Sequence, residues 1–207
     1  RMLAERLRES LQATYDELQR GEQDGYRIDA EGMGRRALKN VCLDILLQLD
    51  DLDLRVLGLR QFYAAGNMSD QIGALAALAN TDSPERSEAL AAFYVRWRHE
   101  ALVVDKWLSL QATSRLPDTL AVVRELMDHE AFNLRNPNKV RALIGAFSQA
   151  NPAHFHAADG SGYTFLADQI LALNAFNPQI AARLTSAFTR WRQYDLVRQT
   201  EMQRQLE

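Results

Sequence analysis

The chain has 207 residues, 47% apolar and 25% charged, the balance of a globular protein with enough apolar mass for one large core or two small ones. Its net charge is −3, and its 21 arginines and 3 lysines are scattered, so no electrostatic pull toward nucleic acid or an anionic membrane follows. No apolar run approaches the roughly 18–20 residues of a membrane span, and residues 1–11 lack the apolar core of a signal peptide. A single cysteine, Cys42, rules out an internal disulfide and fits a reducing compartment, the cytoplasm.

Leu and Ala number 59 against 15 for Val and Ile, which favours helix over strand because straight-chain residues and Ala lose little entropy in a helix. Leu3, Leu7, Leu11, Tyr15 and Leu18 recur at helical spacing from the first residues, with no cap before them. Residues 21–26 read as a loop. Asp29 caps a helix running to about residue 50, with Leu38, Cys42, Ile45 and Leu49 on one face. Further helices are predicted over 53–65, stopped by Gly66, and from a Ser69 cap to about residue 79. Ser83-Pro84 starts the next, with Pro where its missing N–H costs nothing. Helices over 101–114 and 118–128 follow.

Asn136-Pro137, Asn151-Pro152 and Asn177-Pro178 each read as an N-cap followed by Pro. Residues 159–162 (DGSG) form a turn before a helix over 163–174. A last helix begins at Pro178 and bends near Tyr194. The fold class is all-α, with about ten or eleven helices and short connections that set neighbours antiparallel. Paired helices at this length suggest a superhelical, solenoid-like array in one domain over 1–207.

The chemistry-bearing residues favour structural roles. A metallopeptidase helix needs His-Glu-x-x-His. His99-Glu100 is followed by Val103 and His129-Glu130 by Asn133, so neither forms the site. His154 and His156 diverge by about 200° if helical, and pack or hydrogen-bond instead. The DGSG turn lacks the Lys-Ser/Thr ending of a P-loop, so its glycines serve a tight turn. Cys42 sits on an apolar face as an inert thiol. Trp97, Trp107, Phe147, Phe165, Phe188 and Trp191 fall at core spacing.

Two arginines stand apart. Arg141 and Arg183 lie just beyond the first turns of helices starting at Pro137 and Pro178, where free N–H groups and the dipole favour an anion. Arg141 flanks a face of Val140, Leu143, Ile144 and Phe147. Arg183 flanks one of Ile180, Leu184, Phe188 and Trp191. Read alone, each is a solvated or salt-bridged side chain.

Residues 136–166 (NPNKVRALIGAFSQANPAHFHAADGSGYTFL), 177–183 (NPQIAAR) and 192–199 (RQYDLVRQ) resemble the C-terminal region of bacterial aminopeptidase N, a zinc-dependent family of the gluzincin class. The match extends upstream through 34–43 (GRRALKNVCL), 67–70 (NMSD) and 102–113 (LVVDKWLSLQAT), covering nearly the whole chain in order. The family's zinc motif and its Gly-Ala-Met-Glu-Asn substrate motif belong to an earlier domain and are absent here. The resemblance implies a helical, non-catalytic part, most of the C-terminal domain, of an enzyme that removes N-terminal residues from peptides.

It further implies that this part walls the catalytic chamber and limits substrate access. Zinc would sit in the parent's catalytic domain, with none bound by this segment. The expected partners are that domain and peptide substrates, with no nucleic acid and no membrane. Arginines at the positions of Arg141 and Arg183 face the family's substrate cavity, so both are substrate-binding candidates. Lys139 and Val140 are minor variants of the surrounding pattern. The competing expectation is a free-standing α-solenoid scaffold that binds another protein in its groove.

Overall fold

The computed structural model describes residues 1–20 and 26–207. The predicted loop at 21–26 therefore falls, apart from Tyr26, outside the described residues. All regular structure among the described residues is helical, as expected. It forms two compact units, Arg1–Arg96 and Trp97–Glu207.

The first unit holds α1 (Met2–Arg20), α2 (Ala30–Leu46) with a 3-10 turn (Leu47–Leu49), α3 (Leu52–Ala64), α4 (Met68–Leu78) and α5 (Pro84–Trp97). Asp29 caps α2 by accepting from the Gly32 N–H. Asp50 closes the 3-10 turn in the left-handed region at φ 53°, a conformation its short polar side chain tolerates. Asp51 then caps α3. The cap of α4 is Asn67, whose side chain accepts from the Asp70 N–H. That corrects the expected Ser69, which lies inside the first turn. Ser83 accepts from the Arg86 N–H at the start of α5, as predicted. α1 packs on α2, and α4 on both α2 and α3. Leu43, Leu46, Phe62, Leu75, Leu78 and Phe93 form the dry interior.

A polar cluster is buried beside that interior. Lys39 Nζ lies 3.3 Å from Asp70 Oδ2, with both side chains almost wholly inaccessible. Asn40 Nδ2 and Asn67 Nδ2 donate to the two Asp70 oxygens at 3.2 and 2.7 Å. Gln61 Nε2 donates to Asn40 Oδ1 and to the Asp70 carbonyl. Lys39 also donates to Gln19 Oε1. Four helices thus share one network, which satisfies the carboxylate in a place water does not reach.

The second unit holds α6 (Ala101–Ala112), α7 (Thr119–Met127), α8 (Pro137–Val140), a π-helical turn (Arg141–Gly145), α9 (Ala146–Ala150), α10 (Pro152–Phe155), α11 (Ser161–Asn174) and α12 (Pro178–Thr185). A 3-10 turn (Ser186–Phe188), another (Trp191–Gln193) and α13 (Leu196–Leu206) complete it. All three Asn-Pro pairs cap as predicted: Asn136, Asn151 and Asn177 accept from the N–H groups of Asn138, His154 and Ile180. In the DGSG turn, Asp159 accepts from the N–H and hydroxyl of Ser161. Gly160 takes φ 72°, and a Cβ on Gly162 would strike the Phe155 carbonyl oxygen. The turn needs both glycines for space and dihedral.

The expected bent helix from Pro178 is broken. Tyr194 is extended at φ −96°, ψ 171°, and Asp195 caps α13 by accepting from Val197 and Arg198. Trp191 consequently leaves the face predicted for it and is only half-buried, whereas Phe188 is buried. This break, together with the divisions within 137–155, is why α1–α13 outnumber the expected count of about ten or eleven. Val140, Leu143, Ile144 and Phe147 are all inaccessible, as the wheel predicted.

The Lys39–Asp70 pair generates a stability test. Lys39→Met would strand the Asp70 carboxylate without its countercharge, at a cost of about 3–5 kcal/mol. Urea unfolding monitored by circular dichroism should show that loss. A change below about 1 kcal/mol would mean that the pair is exchanged for water at no cost.

Candidate functional site

α8, the π turn and α12 place Arg141 and Arg183 on one cavity of about 310 Å³. Val140, Ile180 and Leu184 give it an apolar floor, and Gln149, Asn177 and Gln179 contribute amides. None of its lining residues is acidic. Arg141 Nη1 makes one contact, donating to Asn138 Oδ1 at 3.3 Å. Among the described residues neither guanidinium has a carboxylate partner. Two cations facing one space without countercharge repel each other mildly and attract an anion. A guanidinium presents a planar fork that matches a carboxylate.

The wall carrying Arg141 is anchored from behind. Lys139, on the same helical turn, pairs with Asp105 at 2.8 Å and donates to the Ala101 carbonyl. Ser109 donates to the carbonyl of Ala142, inside the π turn, at 2.8 Å. A π turn shifts the backbone ladder off its four-residue register, and such turns concentrate at functional sites. The sequence expectation of a helix starting at Pro137, with Val140, Leu143, Ile144 and Phe147 on one face, did not include it, because no residue type marks a π turn. The helix-start expectation for Arg141 changes with it: Arg141 opens the π turn.

The other candidates lie elsewhere. His99 is exposed in a turn. His129 Nδ1 accepts from the Ala131 N–H, and its ring lies 5.3 Å from that of Trp107. Cys42 is buried, and burial pushes its thiol up. Among the described residues no three of His, Cys, Asp and Glu gather in a metal-binding group.

His156 bridges two tyrosines. Its Nδ1 lies 2.9 Å from the Tyr163 hydroxyl and its Nε2 2.9 Å from that of Tyr194, whose ring stacks on the imidazole. Arg198 Nε donates to the His156 carbonyl at 2.7 Å while its Nη1 pairs with Asp195. Burial, and then the Arg198 charge, pull His156 below its ordinary value. Burial pushes Tyr163 up to about 12. The imidazole is therefore a neutral link between α10, α11 and the segment before α13. Sequence reading anticipated hydrogen bonding here but not its partners, of which Tyr194 lies 38 residues away.

Among the described residues the fold is a succession of short helices joined by short connections. A family model described as "Domain of unknown function (DUF3458_C) ARM repeats" matches residues 1–207, and the chain belongs to that family. It is 41% identical to aminopeptidase N of Escherichia coli over 207 residues, all of this chain and 23% of that protein. With aminopeptidase N of Caulobacter vibrioides it shares 43% over 169 residues, 82% of this chain and 20% of that protein. The crystal structure of Legionella pneumophila aminopeptidase A in complex with aspartic acid superposes with a TM-score of 0.90 at 36% identity, covering 99% of this chain and 25% of that one. The chain spans about a quarter or less of these proteins, as a C-terminal part.

The depressed His156 has a thermodynamic consequence. Its unfolded form takes a proton near pH 6.5, whereas the folded form refuses it until lower pH. The stability it contributes is complete above about pH 6.5 and is lost as pH falls toward the folded value. Urea midpoints measured from pH 7.5 down to about 5.5 should fall more steeply for the native chain than for His156→Phe. Parallel slopes would show that the imidazole titrates alike folded and unfolded.

Proposed function

We propose that this chain is the non-catalytic C-terminal domain of a cytoplasmic zinc aminopeptidase that removes N-terminal residues from peptides. In that reading it walls the catalytic chamber and limits access to small peptides, and Arg141 and Arg183 meet the far end of the substrate. The observation that carries it is the sharing of one cavity by two arginines without carboxylate partners, in a chain homologous to the C-terminal part of aminopeptidases.

The catalytic metal belongs to another domain in this reading. In support, no three of His, Cys, Asp and Glu gather in a metal-binding group among the described residues. No helix among the described residues is long and apolar enough to cross a membrane. The coding sequence upstream decides between this reading and a free-standing scaffold. A helix containing His-Glu-x-x-His there supports the enzyme, and its absence sinks it.

A peptide whose amine end is held at the catalytic centre sends its carboxylate away from it. Two guanidinium forks can receive that group, and charge-assisted contacts of this kind are worth about 1.5–3 kcal/mol when shielded. In the full-length enzyme, Arg141→Ala or Arg183→Ala should raise KM about 10-fold for short peptides with a free carboxylate. kcat should change little, and an alanine arylamide, which has no carboxylate, should be nearly unaffected. Equal losses on both substrates would show that these arginines hold structure and do not read the peptide end.

A further inference from the structure

We infer that Ser109 is a positioning residue for the cavity: its hydroxyl holds the π turn, and the π turn sets the stance of Arg141. The inference rests on the proposed role of Arg141 and adds the group behind the wall that gives it its place.

The π turn departs from the α ladder at a definite bond. The Ala146 N–H donates to the Arg141 carbonyl, five residues back, where an α-helix would send it to Ala142. The Ala142 carbonyl, passed over by Ala146, receives the Ser109 hydroxyl from α6 at 2.8 Å. Ala142 is buried and Ser109 half-buried, so water competes poorly for that acceptor. The same hydroxyl lies 2.9 Å from the Asp105 carbonyl of its own helix. Its one proton is therefore shared between the ladder of α6 and the π turn, and ties the two together.

Register is what the turn changes. At 3.6 residues per turn, Arg141 and Gln149 would sit about 80° apart around a regular helix. One residue absorbed by the π turn brings them to within about 20°. Arg141, Gly145 and Gln149 do all line the cavity. A Cβ on Gly145 would lie 3.7 Å from Arg141 Cγ, so the arginine stem runs along this row. Lys139 and Asn151 pin the segment to α6 on either side of the turn, and Ser109 is bonded to the turn itself. Without that hydroxyl the turn can relax toward α register, which swings Arg141 relative to Arg183 across the cavity.

Steady-state kinetics of the full-length enzyme on Ala-Ala-Ala and on an alanine arylamide test this. Ser109→Ala should raise KM for the tripeptide about 3-fold, less than Arg141→Ala does, with kcat and the arylamide within about 1.5-fold of native. Ser109→Thr, which keeps the hydroxyl, should stay within about 2-fold of native on both substrates. In an Arg141→Ala background Ser109→Ala should add less than about 1.5-fold, because one residue acting through another is not additive with it. Circular dichroism and thermal melting check the folding of each variant. Should Ser109→Ala not fold, Ser109→Cys, whose thiol is a weak donor of similar size, takes its place with the same expectations.

A native KM in Ser109→Ala, equal losses on both substrates, a Thr variant no better than Ala, or a full Ser109 effect in the Arg141→Ala background would overturn the inference. Arg141→Ala by itself separates this failure from that of the reading beneath it. If Arg141→Ala spares the tripeptide, the reading of the arginines fails and this inference falls with it. If Arg141→Ala weakens the tripeptide and Ser109→Ala does not, only the role of Ser109 fails.

Discussion

One stripe along α6 fixes the part of the molecule that carries the cavity. The Ala101 carbonyl, Asp105, Ser109 and the Ala112 carbonyl recur at helical spacing, so they share one face. Each is bonded to the segment 139–151. Lys139 meets Ala101 and Asp105, Ser109 meets Ala142, and Asn151 donates to the carbonyls of Ala112 and Ser114 at 3.0 and 2.8 Å. Asn151 also caps α10 through its oxygen. One buried amide therefore satisfies the end of one helix and the start of another. Leaving such groups unmet would cost about 1–3 kcal/mol apiece. The polar face of α6 holds the π turn, and the π turn holds Arg141.

The first unit uses the same device in a different setting. Its buried network passes through Lys39, Asn40, Gln61, Asn67 and Asp70. A buried charge is tolerated only when paired and hydrogen-bonded, so the carboxylate of Asp70 dictates what α2, α3 and α4 must present to it. Segments 34–43 and 67–70, which carry part of the resemblance to aminopeptidase N, contain four of these five residues. The short motif at 67–70 acquires a physical meaning from this: Asn67 caps α4 with its oxygen and donates to Asp70 with its nitrogen.

Rigid support and an unneutralised cavity complement each other. No acidic residue lines the cavity, and neither Arg141 nor Arg183 pairs with a carboxylate among the described residues.

The sequence by itself determined the fold class and most helix boundaries, because these are local properties. Apolar residues three and four apart specify which face is buried, and Asn-Pro specifies a helix start through one side-chain oxygen and one missing N–H. It also singled out Arg141 and Arg183, through position in a helix and a family pattern. Tertiary structure alone decided that the two arginines share one cavity, since they lie 42 positions apart and nothing local relates them. It also decided the π turn, the break at Tyr194 and the two tyrosines of His156. Each of those depends on a partner far along the chain: Ser109 for the π turn, and Tyr194, which can reach His156 only once the helix has stopped. Local propensity sees none of these distances, and contacts across the fold outweigh it.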